Sequence, residues 1–379
     1  MNQTIDRYIE NLINKSRPDA PLWNIESIKQ GKTPHWNYID GCMITSLLSL
    51  YDTTKTKRYL DFVKHFVDFY VFDDGTIRGY HIGNYSTDDI CESRILFDLY
   101  DLTGEEKYLK AIYHTYEQIK THPRTYERNF WHKKIYPDQV WLDGLFMVQP
   151  FYTRFETRFN QKKHYDDIVN QFSVVRKRMF DENKGLYYHG YDASKKVFWA
   201  DPDTGLSKNF WLRAIGWYVV AIVDVCAYMD DLDTLSSFFK PLLKEAIDGL
   251  LRYQDPSSKL FYDVVDLMDE KQNYLEASGS ALISYAILKG VRLGLLDPSY
   301  QKKGQSIFDG ICQMYLTEKH GELQLGGIVL VSGLGPESNK KRDGSFAYYM
   351  SEPIVENDAK GVGPLIMAYT EILHIEKEG

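Results

Sequence analysis

The stretch WHKKIYPDQVWLDGLFM, residues 131–147, sets one acid, Asp143, between Trp141-Leu142 and the apolar run that opens at Gly144. An Asp in that position is ordinarily a helix N-cap, its side-chain oxygen accepting from the first unpaired backbone N–H groups. The neighbours Trp131, His132, Lys133, Tyr136, Asp138 and Trp141 make a wall more polar and aromatic than a cap requires. A carboxyl held in such a wall is suited to general acid–base work. Arg213, in FWLRAIGW, opens another apolar stretch. A buried guanidinium without an anion is costly, so Arg213 must meet either an acid of the protein or a carboxylate of a ligand.

These residues need elements to position them. Periodicity near 3.6 predicts polar-faced amphipathic helices around 4–14, 54–71, 104–121, 162–180, 232–253 and 298–317. Between and after them lie six apolar segments rich in small residues. Their starts are marked by Asp40, Asp88, Asp143, Arg213, Glu276 and Asp358, so only the fourth begins without an acid. This is a drifting repeat of one helical hairpin. Gly41, Gly144, Gly216, Gly279 and Gly361 sit where neighbouring inner helices must approach. Six outer and six inner helices close into an all-α (α/α)6 barrel, a single catalytic domain over 1–379. The inner N-termini then share one rim and favour anions there. The long connections into that rim, with alternation in LQLGGIVLV and LFYDVV, predict binding loops carrying short β-hairpins.

Composition narrows the partners. Aromatic residues make up 15% of the 379-residue chain, with 29 Tyr, 19 Phe and 7 Trp, which suits stacking on sugar rings. A formal charge of -8 and the lack of a Lys/Arg stripe argue against nucleic acid. The N-terminal residues carry no signal-like apolar run and no segment has the length of a membrane span, so a cytoplasmic protein without a membrane partner is expected. Cys42, Cys91, Cys226 and Cys312 show no CxxC spacing and fit reduced, buried thiols. The histidines show no metal-ligand spacing, and neither metal nor cofactor is expected.

With PFYTRF after WLDGLFM, then YYHGYDAS, FWADPDTG, FWLRAIGW and NDAKGVGPLIMAY, nearly the whole chain resembles glycoside hydrolase family 105, the unsaturated rhamnogalacturonyl hydrolases. The resemblance implies an enzyme that removes a 4,5-unsaturated galacturonate from the non-reducing end of a lyase-made pectin fragment by hydrating the double bond. It implies Asp143 as general acid and base and Asp88, in TDDICESR, as the second acid; by residue type alone, either Asp88 or Asp89 could face the pocket. His189, Trp211 and Arg213 fall on its active-site positions, and His132, Lys133 and Trp141 on its pocket lining; Tyr38 and Met147 complete the candidate substrate-binding set. The pattern departs at Cys91-Glu92-Ser93.

An isolated Asp is ionised at neutral pH. Asp143 is therefore expected to have a raised pKa, through desolvation among Trp141, Phe146 and Met147 and through coupling to Asp88. Arg213, with Lys133, is expected to take either the substrate carboxylate or an internal acid, and Trp141 and Trp211 to stack on sugar. Rival readings are an unsaturated glucuronyl hydrolase, an inverting glycosidase and a glycan-binding toroid that lacks catalysis.

Overall fold

Residues 2–378 are described by a computed structural model, so the ends of the expected 1–379 domain, Met1 and Gly379, lie outside the described residues. The inner ring consists of Tyr38–Thr54, Thr87–Glu92 continued by Ile95–Thr103, Leu142–Phe159, Leu212–Tyr228, Ala277–Arg292 and Ala359–Glu378. Each packs on the next and the last returns to the first, which closes the toroid. The outer positions are Asn2–Lys15, Lys57–Tyr70, Glu106–Thr121, Tyr165–Met179, Lys240–Leu251 and Gln301–Tyr315.

The difference between the rings is written in their side chains. The Lys57–Tyr70 helix buries only Tyr59, Val63, Phe66, Val67 and Tyr70, one stripe of a helix with a wet face. The Leu212–Tyr228 helix is buried at every position from Leu212 to Cys226. Such close inner packing needs small residues. A Cβ on Gly279 would lie 2.5 Å from Leu212 Cγ, and one on Gly216 would lie 2.9 Å from Leu282 Cβ.

The second inner segment, read as one run from Thr87, is instead two helices joined at Ser93-Arg94. The Arg94 side chain explains the break: its Nε donates to the Cys91 carbonyl at 3.3 Å and its Nη1 to Asp224 Oδ2 at 3.1 Å. The side chain thus competes with the backbone for a carbonyl of the helix ladder.

Short antiparallel pairs decorate the rim. Gln139–Trp141 pairs with Gly190–Asp192, Phe261–Tyr262 with Leu275–Glu276, and Ile328–Val329 with Ile354–Val355. The expected LQLGGIVLV unit divides between two sheets, Glu322–Leu325 pairing back on Leu316–Lys319. The turn at Gly326-Gly327, with Gly327 at φ 69°, separates them. All four cysteines are free and buried. Among the described residues no helix is long and apolar enough to cross a membrane.

Candidate active site

Two backbone registers assemble the site. Trp141 pairs with Gly190, and Leu142 N–H donates to the His189 carbonyl at 3.1 Å, so Asp143 and His189 emerge side by side. Ser86 bridges to Lys133, and Thr87 N–H donates to the His132 carbonyl at 3.2 Å, which brings Asp88 to Lys133 and His132. Asp88 and Asp143 are each the second residue of their helices, Thr87–Glu92 and Leu142–Phe159. Neither helix end carries a side-chain cap bond, so Asp143 is not the N-cap that its sequence position suggests.

The acids that open the inner helices have different fates. Asp40 accepts from Trp23 Nε1 at 2.8 Å and Asn24 Nδ2 at 3.2 Å. Glu276 is the true cap of Ala277–Arg292, taking the Ser278 and Gly279 amides at 3.0 and 2.6 Å. Asp358 holds Lys360, which also reaches Glu26 at 2.9 Å. Asp143 Oδ2 is buried and lacks a well-formed hydrogen bond among the described residues, with His189 Nε2 3.3 Å away and equally unpartnered. Asp143 keeps 8% exposure, and that remainder belongs to its other atoms.

His189 is fixed from behind. Its Nδ1 lies 2.8 Å from Tyr349 Oη, and its ring stands 4.7 Å from that of Trp211, which in turn stacks on Tyr349. Burial holds the Tyr349 phenol well above its usual pKa, so it keeps its proton. A carboxylate can only accept, so a hydrogen on His189 Nε2 suits the contact with Asp143 and leaves Nδ1 to accept from Tyr349.

That arrangement corrects one expectation. Burial raises the Asp143 carboxyl, but the neighbouring His189 imidazole, then His132, outweigh it and hold Asp143 below the ordinary carboxylate value. Asp88 is not among the leading causes; it pairs directly with Lys133 and lies 3.6 Å from His132 Nε2. His132 is pushed down to about 4, first by burial, and stacks on Trp141 at 4.2 Å. A Cβ on Gly144 would meet His132 Nδ1 at 3.4 Å, so that glycine gives room to this ring and not to a neighbouring helix. Lys133 is raised: burial lowers it, and Asp88 more than offsets this. Asp89 is buried beside Asp88 and lifted to about 7, chiefly by burial.

Arg213 is 1% exposed. It donates to Ser278 Oγ at 3.0 Å and to the carbonyls of Val329 and Leu330 at 2.5 and 3.3 Å. Its guanidinium makes no ion pair among the described residues. The internal acid expected as its partner is therefore absent at contact distance, and Glu276 acts on it at longer range.

Three expected wall residues sit differently. Met147 is 2% exposed, one turn below Asp143 in the main core, where a substrate does not reach it. Trp211 donates Nε1 to Asp263 and packs on His189, and Trp141 packs on His132 and Tyr136, so both rings position histidines where sugar stacking was expected. Tyr38, Asp88, Asp89 and Lys133 line an open cleft of ≈ 400 Å³ together with Glu26, Val331 and Arg342. Tyr349, Glu26 and Lys360 escaped the sequence reading. Lys360 lies in NDAKG, the one available signal, whereas Tyr349 and Glu26 act through distant pairing alone.

A family model described as Glycosyl Hydrolase Family 88 matches residues 9–376. A solved glycoside hydrolase from family 105 of C. acetobutylicum ATCC 824 is 41% identical, covers 96% of this chain and 99% of its own, and superposes with a TM-score of 0.87. The chain belongs to the glycosyl hydrolase 88/105 family. The family member is also 25% identical over 287 residues, 73% of its length and 76% of the relative's, to the unsaturated rhamnogalacturonyl hydrolase YesR of Bacillus subtilis. An unsaturated glucuronyl hydrolase specific for heparin shares the fold, with TM-score 0.71 at 15% identity and coverage of 99% of this chain and 96% of that one.

Proposed function

We propose that this glycoside hydrolase releases 4,5-unsaturated galacturonate from lyase-generated rhamnogalacturonan oligosaccharides, with Asp143 as proton donor and Asp88 as its partner acid. The observation that carries the reading is Asp143 itself. Of the acids that open the inner helices, it is the one among the described residues with a buried carboxylate oxygen left without a hydrogen bond, and it lies 3.3 Å from the His189 imidazole.

The C4=C5 bond is an enol ether conjugated to the C6 carboxylate. Asp143 gives its proton to C4, and positive charge develops at C5 and the ring oxygen. Water adds at C5, its proton returning to Asp143, and the resulting hemiketal opens to a C5 ketone. The hemiacetal left at C1 expels the aglycone. Atoms balance with one water consumed and the acid regenerated.

The resting Asp143 is ionised, so substrate must help to load the donor. A uronate brought beside Asp143 adds a negative charge and raises its pKa toward neutrality. Arg213, with donor capacity remaining beyond its three bonds, faces that carboxylate, and Tyr38 borders it. Lys133 and His132 hold Asp88 in orientation to direct the water.

The relative named for unsaturated rhamnogalacturonyl hydrolysis supports galacturonate as the sugar. The test is loss of the conjugated absorbance on unsaturated rhamnogalacturonan disaccharide, run beside an unsaturated glucuronyl disaccharide of a glycosaminoglycan. Faster loss with the first is expected; faster loss with the second would transfer the assignment to glucuronyl substrates.

A further inference from the structure

The loop between Val329 and the Phe346–Ser351 helix lines the cleft through Val331 and Arg342 and forms a strap tied down at several points. Leu334 inserts into a small cluster with Tyr136, Trp141 and Trp199, separate from the main core. Trp199 Nε1 donates to the Gly335 carbonyl at 3.2 Å, and Gly333 N–H donates to Tyr348 Oη at 3.0 Å. Gly335 N–H donates to the Arg342 carbonyl at 2.8 Å, which fixes the backbone of the one arginine on this strap.

Arg342 is half-buried, lines the cleft and makes no ion pair among the described residues. Its Nη1 lies 3.3 Å from where a Gly333 Cβ would stand, a point 3.4 Å from the Trp141 ring, so the guanidinium hangs at the edge of the catalytic wall. Its situation differs from that of other partly buried arginines. Arg124 grips Asp167, Arg154 grips Asp98, Arg176 grips Glu245 and Arg178 grips Glu127, each through carboxylate contacts. The acids that feel the charge of Arg342 do not replace such a partner: Glu26 is taken by Lys360, and Glu352 acts at longer range, while the adjacent Asp343 pairs with Lys208. Lys32, exposed on the same cleft and also without an ion pair among the described residues, adds a second cation in a chain of charge -8.

We infer that Arg342, assisted by Lys32, seats the carboxylate of a second uronate, the third sugar from the unsaturated end. The inference rests on the proposed function and deepens it. Arg213 serves the deep end of the site, so a cation at the outer mouth answers to a later carboxylate. In a chain alternating galacturonate and rhamnose the second sugar is neutral and the third is acidic. The preferred substrate is then an acidic oligosaccharide longer than the disaccharide. A bidentate guanidinium matches a carboxylate, whereas a neutral third sugar gives it nothing comparable.

The experiment measures kcat/KM for the unsaturated disaccharide and tetrasaccharide with wild type, Arg342→Gln and Arg342→Lys, each checked for folding by thermal melt. Wild type should favour the tetrasaccharide about tenfold, the size of one charge-assisted hydrogen bond. Arg342→Gln should bring the ratio close to one through KM, with Arg342→Lys intermediate and added salt narrowing the wild-type preference. A wild-type ratio near one, or an unchanged ratio in Arg342→Gln, overturns the inference while leaving the proposed function standing. Wild type that consumes neither substrate overturns the proposed function instead, and this inference with it.

Discussion

The toroid has two mouths built from opposite ends of the same inner helices, each opening into a space of ≈ 400 Å³. At the mouth formed by their C-terminal halves the charges satisfy one another. Asp224 receives Arg94 Nη1 at 3.1 Å, Tyr285 Oη at 2.9 Å and Lys289 Nζ at 2.7 Å. Arg158 grips Asp101 and Arg292 grips Glu371, each through two nitrogens. Arg94 Nη2 and Thr45 Oγ1 are the exceptions there. At the N-terminal mouth, Asp143 and His189 face each other with incomplete bonds, and Arg213 and Arg342 have no carboxylate in contact among the described residues. Buried charge of similar amount therefore serves stability at one end and leaves bonding capacity for a ligand at the other.

Substitutions should separate the two ends. The largest effect belongs to Asp143→Asn, expected to lower kcat/KM by about 10²–10⁴-fold, as loss of a general acid does, with no loss of melting temperature. Its counterpart is Asp224→Ala, which strands Arg94 and Lys289 in the barrel and should cost about 3–5 kcal/mol in denaturant titration. Its kcat/KM, measured well below the melting transition, should stay near wild type. A large activity loss in folded Asp224→Ala would merge the two mouths into one functional unit.

A pH series sharpens the contrast. His122 and His132 are both pushed from 6.5 down to about 4, mainly by burial. The unfolded chain binds those protons first, so between about pH 6.5 and 4 stability falls as pH falls, by about 3 kcal/mol for each group over the whole window. Replacing either with Gln should flatten this part of the stability curve. Only His132→Gln should also slow turnover, because His122 bonds the Trp131 carbonyl outside the reacting space. The smallest effect is expected of Tyr349→Phe, about tenfold in kcat with an altered acid limb of the pH profile, from loss of the hydrogen bond that holds His189 from behind. A change in melting temperature alone would make Tyr349 a packing residue.

The barrel was legible because its repeat is local. Outer helices carry a stripe and inner helices carry none, and the rim residues fall where each apolar run begins. Asp88, Asp143 and Arg213 all took their expected places at the first turns of inner helices. What sequence reading missed depends on pairing across the fold. The Asp143 pKa turned on His189, which strand pairing brings beside it and which Tyr349, 160 residues further on, holds from behind. Trp141 and Trp211 looked like sugar plates because residue type shows an aromatic face and not what already covers it. Met147 shares a helix face with Asp143, yet one turn of depth places it in the core.

The account rests most directly on proton delivery to C4. The decisive measurement is NMR of the uronate released in D2O from unsaturated rhamnogalacturonan disaccharide, with wild type and Asp143→Asn compared at equal substrate. The account predicts deuterium at C4 and loss of the conjugated absorbance with wild type, and at most residual incorporation with the variant. Release of the aglycone with the double bond intact would contradict it, as would equal deuteration rates in the two proteins.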